Sequence, residues 1–190
     1  IPVVYRDFNK SHPDFYRELQ GGVYFRYGAT TGMMQSYLST TGLPICKDPK
    51  QMMNDCSNFN EWFTDVPGIN TRVDEQLVLD YDPVTFVSTY DNSSYFPLDG
   101  RGFNEMIPSG SSGSRSPHNF LFTSEAHVDF TYRPGQTFSF RGDDDVWVFI
   151  DGKLVIDLGG VHPRVSGTIN LDTLGLTPGV TYWVSGFHAE

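Results

Sequence analysis

Positive charge and long apolar runs are both scarce in this chain of 190 residues. Lysine and arginine together number 13 against 23 aspartates and glutamates, which gives a formal net charge of -10. A chain this acidic has little means of neutralising phosphates, so we exclude nucleic acid as a partner. No apolar stretch approaches the roughly 20 residues that a bilayer-spanning helix needs, so we expect no membrane insertion.

Cysteine is also rare, with Cys46 and Cys56 as its two examples. They either form a disulfide, which would stabilise a short local loop by about 2–3 kcal/mol, or stay as buried free thiols. Asn9 and Asn92 each open an Asn-x-Ser sequon and are candidate N-glycosylation sites. The chain begins at Ile1 rather than Met, which fits removal of a leader. These features favour a disulfide and a secreted glycoprotein of the cell surface or extracellular matrix.

Aromatic residues are plentiful, at 15% of the chain, while charged residues make up 19%. That balance suits a β-sandwich, and the length suits one well-buried domain over residues 1–190. The first half is irregular and predicts short helices joined by long loops. Its predicted features are a helix at Ser11–Gln20, a loop at Gly28–Pro44, a helix starting near Asp48-Pro49 with Met52, Met53 and Cys56 facing inward, a strand at Leu77–Leu79 and a flexible loop at Ser109–Ser116.

The second half has the period-two pattern of antiparallel strands. Alternation predicts strands around Val128–Tyr132 and Phe138–Arg141, and the continuously apolar Val146–Ile150 predicts a central strand. Asp151-Gly152 is a preferred pair for a tight hairpin turn. The turn leads into a returning strand, and another strand is predicted at Val180–Ala189. The chain as a whole is therefore predicted to be mostly β.

An acidic triplet, Asp143-Asp144-Asp145, lies between two of these predicted strands. Adjacent carboxylates repel one another and strands disfavour aspartate, so the triplet should reduce stability unless a cation compensates. Calcium suits such a group because it binds hard oxygen ligands in flexible geometry. A solvated acidic turn, with Gly142 supplying an unusual backbone angle, is the alternative. The spacing differs from that of an EF-hand, so a distant loop would have to complete a metal site.

The segment from Phe138 to His162 resembles the signature of the fibro-slime branch of PA14 domains. Other matching pieces are Arg6–Phe8, His12–Phe15, Phe96–Phe103 and Phe187–Glu190, so the resemblance extends over nearly the whole chain, although the N-terminal pieces are individually weaker. The resemblance implies a PA14-like antiparallel β-sandwich of the kind found in adhesins, matrix proteins, flocculins, toxins and some glycosidases. In lectin members, two consecutive aspartates joined by a cis peptide coordinate calcium, and the ion binds vicinal sugar hydroxyls.

Carried onto this sequence, the resemblance places the calcium ligands on Asp143 and Asp144. Asp145 would be an additional ligand or would bind loop amides. In the lectin members a second loop, beyond the strand that here reaches Glu190, supplies further ligands and most of the sugar selectivity. His162, Gly160 and Trp183 are further candidates for ligand binding, against the alternatives of a structural histidine after a Gly-Gly turn and an aromatic used in packing.

Two functions follow as hypotheses, both for a non-catalytic module. One is calcium-dependent carbohydrate binding in an adhesion or matrix protein, with glycans as partners. The other is a structural subunit of an extracellular glycoprotein fibre, in which calcium only stabilises the fold and the partners are copies of itself or neighbouring matrix proteins. An enzyme is the third alternative, with Glu105, Glu125 and Asp157 as conceivable carboxylates, but no acid–nucleophile pair can be identified.

The resemblance also carries an expectation about the last strand of the sandwich. PA14-like sandwiches have at least one more strand after the position of Val180–Ala189. We therefore expect either that the natural polypeptide continues beyond Glu190 with an apolar-alternating segment or that a second chain fills that position. Without such a strand, a neighbouring strand would expose an unpaired edge.

Overall fold

The regular structure of the chain is almost entirely β-strand. A computed structural model describes residues 1–15, 28–51, 53–107 and 117–190. In chain order its elements are β1 (Pro2–Phe8), α1 (Cys56–Phe59), β2 (Asn70–Gln76), β3 (Asp80–Asp82), β4 (Val87–Thr89), β5 (Phe122–Thr131), β6 (Thr137–Gly142), β7 (Asp145–Ile150), β8 (Lys153–Leu158), β9 (Val165–Asn170), a 3-10 turn (Leu171–Leu174) and β10 (Thr181–Ala189). Within these ranges the mostly β prediction is confirmed.

Six strands form the main antiparallel sheet, in the order β2-β1-β5-β10-β7-β8. Strand β10 lies inside this sheet, paired with β5 on one side and β7 on the other. Strands β7 and β8 are joined by the predicted hairpin turn, in which Asp151 and Gly152 both have positive φ, at 51° and 74°. Such turns match the right-handed twist of the strands they connect, which explains the Asp-Gly pair.

Strand β7 is apolar from Val146 to Ile150 because both faces of the main sheet are covered where these residues lie. Val146, Val148 and Ile150 point to one face and pack against β6 and β9, which form a separate two-stranded sheet. Trp147 and Phe149 point to the opposite face, where they pack against the loops and helix of the N-terminal half. The two sheets therefore pack as a sandwich, with irregular structure covering the second face of the larger sheet.

The N-terminal half differs from the sequence prediction at its helices. Residues 11–15 form turns rather than a helix, and the rest of the predicted helix Ser11–Gln20 lies outside the described residues. The second helix begins at Cys56 rather than near Asp48-Pro49. The cause is Asp55, whose side chain caps the helix by accepting hydrogen bonds from the amides of Ser57 and Asn58. Met53 is buried as expected, and Met52 lies outside the described residues.

The predicted strand at Leu77–Leu79 is also wrong. Strand β2 ends at Gln76 and β3 begins at Asp80, so the three residues connect the main sheet to the β3–β4 hairpin. Leu77 packs against a core cluster, whereas Val78 is 80% exposed, because the chain leaves the sheet at this point. The irregular segment Gly28–Pro44 matches its prediction as a loop, and Ser109–Ser116 lies outside the described residues.

A groove of about 970 Å³ lies on the sandwich face of the main sheet. Its lining includes Val128, Phe130 and Val184 from the main sheet, Phe138 from β6 and Phe86 from the β3–β4 hairpin. Among the described residues β6 pairs with β9 alone, so its other edge is unpaired. The expectation of a further strand, from a continuing polypeptide or a second chain, stays a prediction.

Candidate cation and glycan site at the acidic turn

The three aspartates of the acidic triplet differ sharply in their surroundings. Asp143 is exposed, Asp144 is half-buried and Asp145, the first residue of β7, is 6% exposed. The peptide bond between Asp143 and Asp144 is cis, the geometry that the resemblance implies. The triplet therefore runs from the protein surface at Asp143 into the core at Asp145, where the buried strand β7 begins.

Two of the three carboxylates hold the loop between β8 and β9. Asp145 Oδ1 accepts a hydrogen bond from the amide of Gly160, and Asp144 Oδ1 accepts one from the amide of His162 at 2.9 Å. The second oxygen of Asp144 accepts no hydrogen bond from the described part of the chain, and neither does the carboxylate of Asp143. The hydrogen bonds from the loop thus fix the turn and leave the Asp143 carboxylate and one oxygen of Asp144 for a ligand.

Negative charge at the turn is poorly compensated. Burial raises the pKa of Asp144 to about 7, with further contributions from the charges of Glu190, Asp145 and Asp143, although the hydrogen bond from His162 lowers it. Burial likewise raises the pKa of Asp145 to about 6, against the hydrogen bond from Gly160. A carboxylate whose ionised form is disfavoured in this way would be stabilised by a nearby cation.

His188 and Glu190 complete the surroundings of the turn and were missed as site residues in the sequence. His188 Nε2 lies 3.1 Å from the carbonyl oxygen of Asp143 and 3.4 Å from Glu190 Oε2. Burial opposes the charged ring, but Glu190 and the Asp143 carbonyl raise the pKa of His188 overall. The antiparallel pairing of Ala189 with Asp145 brings both residues to the turn. That register links positions about 45 residues apart, which local patterns do not reveal.

The other candidate ligand residues do not present side chains at the turn. The His162 ring is buried, with Nδ1 3.0 Å from the carbonyl oxygen of Pro163, as expected of a structural histidine. Gly160 is buried and contributes its amide. Trp183 is 46% exposed but lies six residues before Ala189 on β10, about 20 Å away at about 3.3 Å per residue. The structure therefore brings the loop to the aspartates and places Trp183 elsewhere.

The donor atoms at the turn suit calcium in type but fall short in number. Asp143 and Asp144 offer hard carboxylate oxygens, whereas calcium takes 6–8 oxygen ligands. Within the described ranges, no group of three or more histidine, cysteine, aspartate or glutamate side chains is arranged to hold a metal ion. Carbonyl oxygens, water, ligand hydroxyls or a further segment would have to supply the remaining positions.

The cysteines and the two sequons lie away from the turn. Cys46 and Cys56 form a disulfide, as the sequence favours, with their Cα atoms 5.4 Å apart. Asn92 is exposed, so its side chain can be reached from solvent, and Asn9 is half-buried. Glycosylation of either asparagine stays a prediction.

The carboxylates considered for an enzyme have structural partners instead. Glu125 pairs with Arg6 at 2.7 Å and with His127 at 2.8 Å. Asp157 accepts hydrogen bonds from Trp147 Nε1 at 3.1 Å and from the amide of Gly32 at 2.7 Å. Glu105 interacts with Lys10.

In the described ranges, no helix has the length and apolar character needed to cross a bilayer.

Comparison with known proteins finds relatives over the whole chain and a domain match over its second half. The chain is 38% identical to protein psiR of Dictyostelium discoideum over 199 aligned positions, covering 99% of this chain and 19% of that protein. Protein psiQ is 34% identical, again over 99% of this chain and 19% of the relative. Protein psiD is 38% identical over 86% of this chain and 34% of the relative. The chain thus spans about a fifth to a third of these relatives.

The second half of the chain also matches a known domain family. No solved structure gives a significant match to the chain. Residues 111–184, which include the acidic turn and strands β5 to β9, match the sequence profile of the PA14 domain. PA14 domains are typical of extracellular proteins and are associated with carbohydrate binding. Both the β-sandwich architecture and this match agree with the signature around the acidic triplet, and the chain carries PA14 domain sequence at residues 111–184.

Proposed function

We propose that this chain is an extracellular, non-catalytic module that binds carbohydrate in a calcium-dependent manner at Asp143 and Asp144. The observation that carries the proposal is the poorly compensated acidic turn: the carboxylate of Asp143 and one oxygen of Asp144 accept no hydrogen bond from the described residues, and burial and neighbouring carboxylates raise the pKa of Asp144 to about 7. His188, which lies beside the turn, pairs with the carboxylate of Glu190 at 3.4 Å. A divalent cation would relieve this excess of negative charge.

The three aspartates of the turn would have different roles in such a site. Asp143 presents an exposed carboxylate, and Asp144 offers the oxygen that His162 does not occupy. Asp145 is turned inward and ties the turn to Gly160, so its role is to support the site. Calcium bound by the first two residues would supply open coordination positions for two vicinal hydroxyls of a sugar.

Glycan binding should therefore depend on calcium. We expect the protein to bind one or more members of a glycan array in calcium and to lose that binding, at least about tenfold, in excess chelator. Magnesium should not substitute, because it demands near-ideal octahedral geometry and dehydrates reluctantly. Glycan binding that is equal in calcium and in chelator would contradict the proposal.

Calcium affinity should also fall on acidification. Binding requires ionised Asp144, whose pKa in the free protein is raised to about 7 by burial and by Glu190. The ionised fraction falls from about 0.9 at pH 8 to about 0.1 at pH 6, so the apparent affinity should fall about tenfold through this group alone. Calorimetric titrations with calcium chloride at the two pH values measure the change. An affinity that is equal at both pH values would show that Asp144 is not a ligand.

The alternative function is that of a structural subunit in an extracellular assembly, with calcium stabilising the fold alone. The groove beside the unpaired edge of β6 supports this alternative, as does the exposure of the β3–β4 hairpin, including Val84 at 83% and Phe86 at 72%. Sedimentation of the purified protein distinguishes the two. A monodisperse monomer that binds glycans favours the carbohydrate-binding function, and calcium-dependent filaments without glycan binding favour the alternative.

A further inference from the structure

The loop from Gly159 to His162 is held to the body of the protein through each of its four amides. The Gly159 amide donates to the carbonyl oxygen of Thr30 at 2.9 Å. The amides of Gly160 and His162 donate to the acidic turn, as described above. The remaining amide, that of Val161, donates to Gln51 Oε1 at 2.7 Å. Two residues outside the turn therefore help to fix this loop, Thr30 through its backbone carbonyl and Gln51 through its side chain.

Gln51 connects the loop to the disulfide-closed segment between Cys46 and Cys56. Its side-chain amide nitrogen donates to Thr30 Oγ1 and, at 3.3 Å, to the carbonyl oxygen of Gly28. The two ends of one amide group thus join the loop, through Val161, to the segment that contains Gly28 and Thr30. The disulfide bridges residues ten apart and encloses Gln51.

Gly160 is shaped to receive the Gln51 side chain. A Cβ atom at position 160 would lie 2.3 Å from Gln51 Cδ, so any larger residue would displace the amide group. Gly160 also has a φ of +82°, which disfavours other residues. The Gln51 side chain therefore packs directly on the backbone of Gly160. This contact sets the position of the amides of Gly160 and His162, which Asp145 and Asp144 bind.

We propose that Gln51 is a positioning residue for the acidic turn, binding no ligand itself but fixing the loop that orients Asp144. The inference rests on the proposed calcium site. Loss of the Gln51 acceptor leaves the Val161 amide without its partner. Val161 lies between Gly160 and His162, whose amides bind the turn, so the loop then becomes more mobile between these two hydrogen bonds. Groups that orient metal ligands in this way typically change metal affinity 10- to 100-fold when removed.

The test compares Gln51→Met with Gln51→Glu. Methionine keeps the length of the side chain and removes its hydrogen bonds, whereas glutamate keeps an acceptor for Val161. We expect Gln51→Met to weaken binding of calcium chloride about tenfold or more by calorimetry and Gln51→Glu not to weaken it. Gln35→Met makes the same chemical change at an exposed position and should leave the affinity unchanged.

Hydrogen exchange in the calcium-free protein separates this inference from the proposed function. We expect the amides of Gly160, Val161 and His162 to exchange at least about tenfold faster in Gln51→Met than in the unsubstituted protein. If exchange is unchanged, or if it rises while calcium affinity does not fall, the positioning role is overturned. If the unsubstituted protein binds no calcium, the proposed function fails, whereas the exchange result still reports whether Gln51 holds the loop.

Discussion

Replacing Asp143 and Asp144 together, as Asp143→Asn with Asp144→Asn, should lower the affinity for calcium about 100-fold or more. Each asparagine keeps an oxygen ligand but removes a formal charge, and the affinity of calcium sites depends on ligand charge. Calorimetric titration with calcium chloride measures the effect. A matched control, Asp129→Asn with Asp151→Asn, removes the same charge at exposed positions and should bind calcium normally.

The same double variant should keep its stability when calcium is absent. The raised pKa of Asp144 means that its ionised form is disfavoured in the folded protein, so removing the charge carries no penalty from lost ion pairing. The calcium-free variant should therefore melt at or above the temperature of the calcium-free unsubstituted protein. Calcium should raise the melting temperature of the unsubstituted protein but not of the variant. A variant that still binds calcium at unaltered affinity would remove Asp143 and Asp144 from the site.

The second large effect is expected in the core, from Trp147→Ala. Trp147 is 0% exposed, contacts the rings of Phe59 and Trp62, and donates its indole N–H to Asp157 at 3.1 Å. Truncation of a large buried aromatic typically costs about 3–5 kcal/mol, and here it would also leave Asp157 with one fewer donor. We therefore expect a loss of stability in that range.

Trp183→Ala is the matched control for the core prediction. It makes the same chemical change on β10 at a side chain that is 46% exposed, where the cost should stay below about 1 kcal/mol. Urea unfolding of both variants at one pH and one calcium concentration gives the comparison. Equal losses of stability at the two positions would contradict the packing of β7 as the centre of the fold.

The strands of the second half could be predicted because their signals are local. Period-two alternation in β5 and β6, the apolar run of β7 and the Asp151-Gly152 turn each reflect the geometry of the element itself. The N-terminal half lacked such signals. Asp48 and Asp55 are both plausible helix caps by residue type, and the structure caps the helix at Asp55. At residues 77–79 apolar composition indicated a strand where the chain leaves the sheet.

The candidate site was predictable to the extent that it lies in one segment. The acidic triplet stands out because adjacent carboxylates at the start of an apolar strand conflict with strand preferences. Gln51 reaches the same place across 110 positions of sequence, and His188 arrives through strand pairing. Neither residue has an unusual local context, so long-range packing had to be known before either could be assigned to the site.

The central claim is that Asp143 and Asp144 hold a calcium ion that in turn holds a sugar. A high-resolution crystal structure of the protein grown with calcium and a glycan chosen from the array tests it most directly. The account predicts an ion at about 2.3–2.6 Å from carboxylate oxygens of both aspartates, with two hydroxyls of the sugar completing its coordination. A sugar bound elsewhere on the protein, or calcium density away from both aspartates, would contradict it.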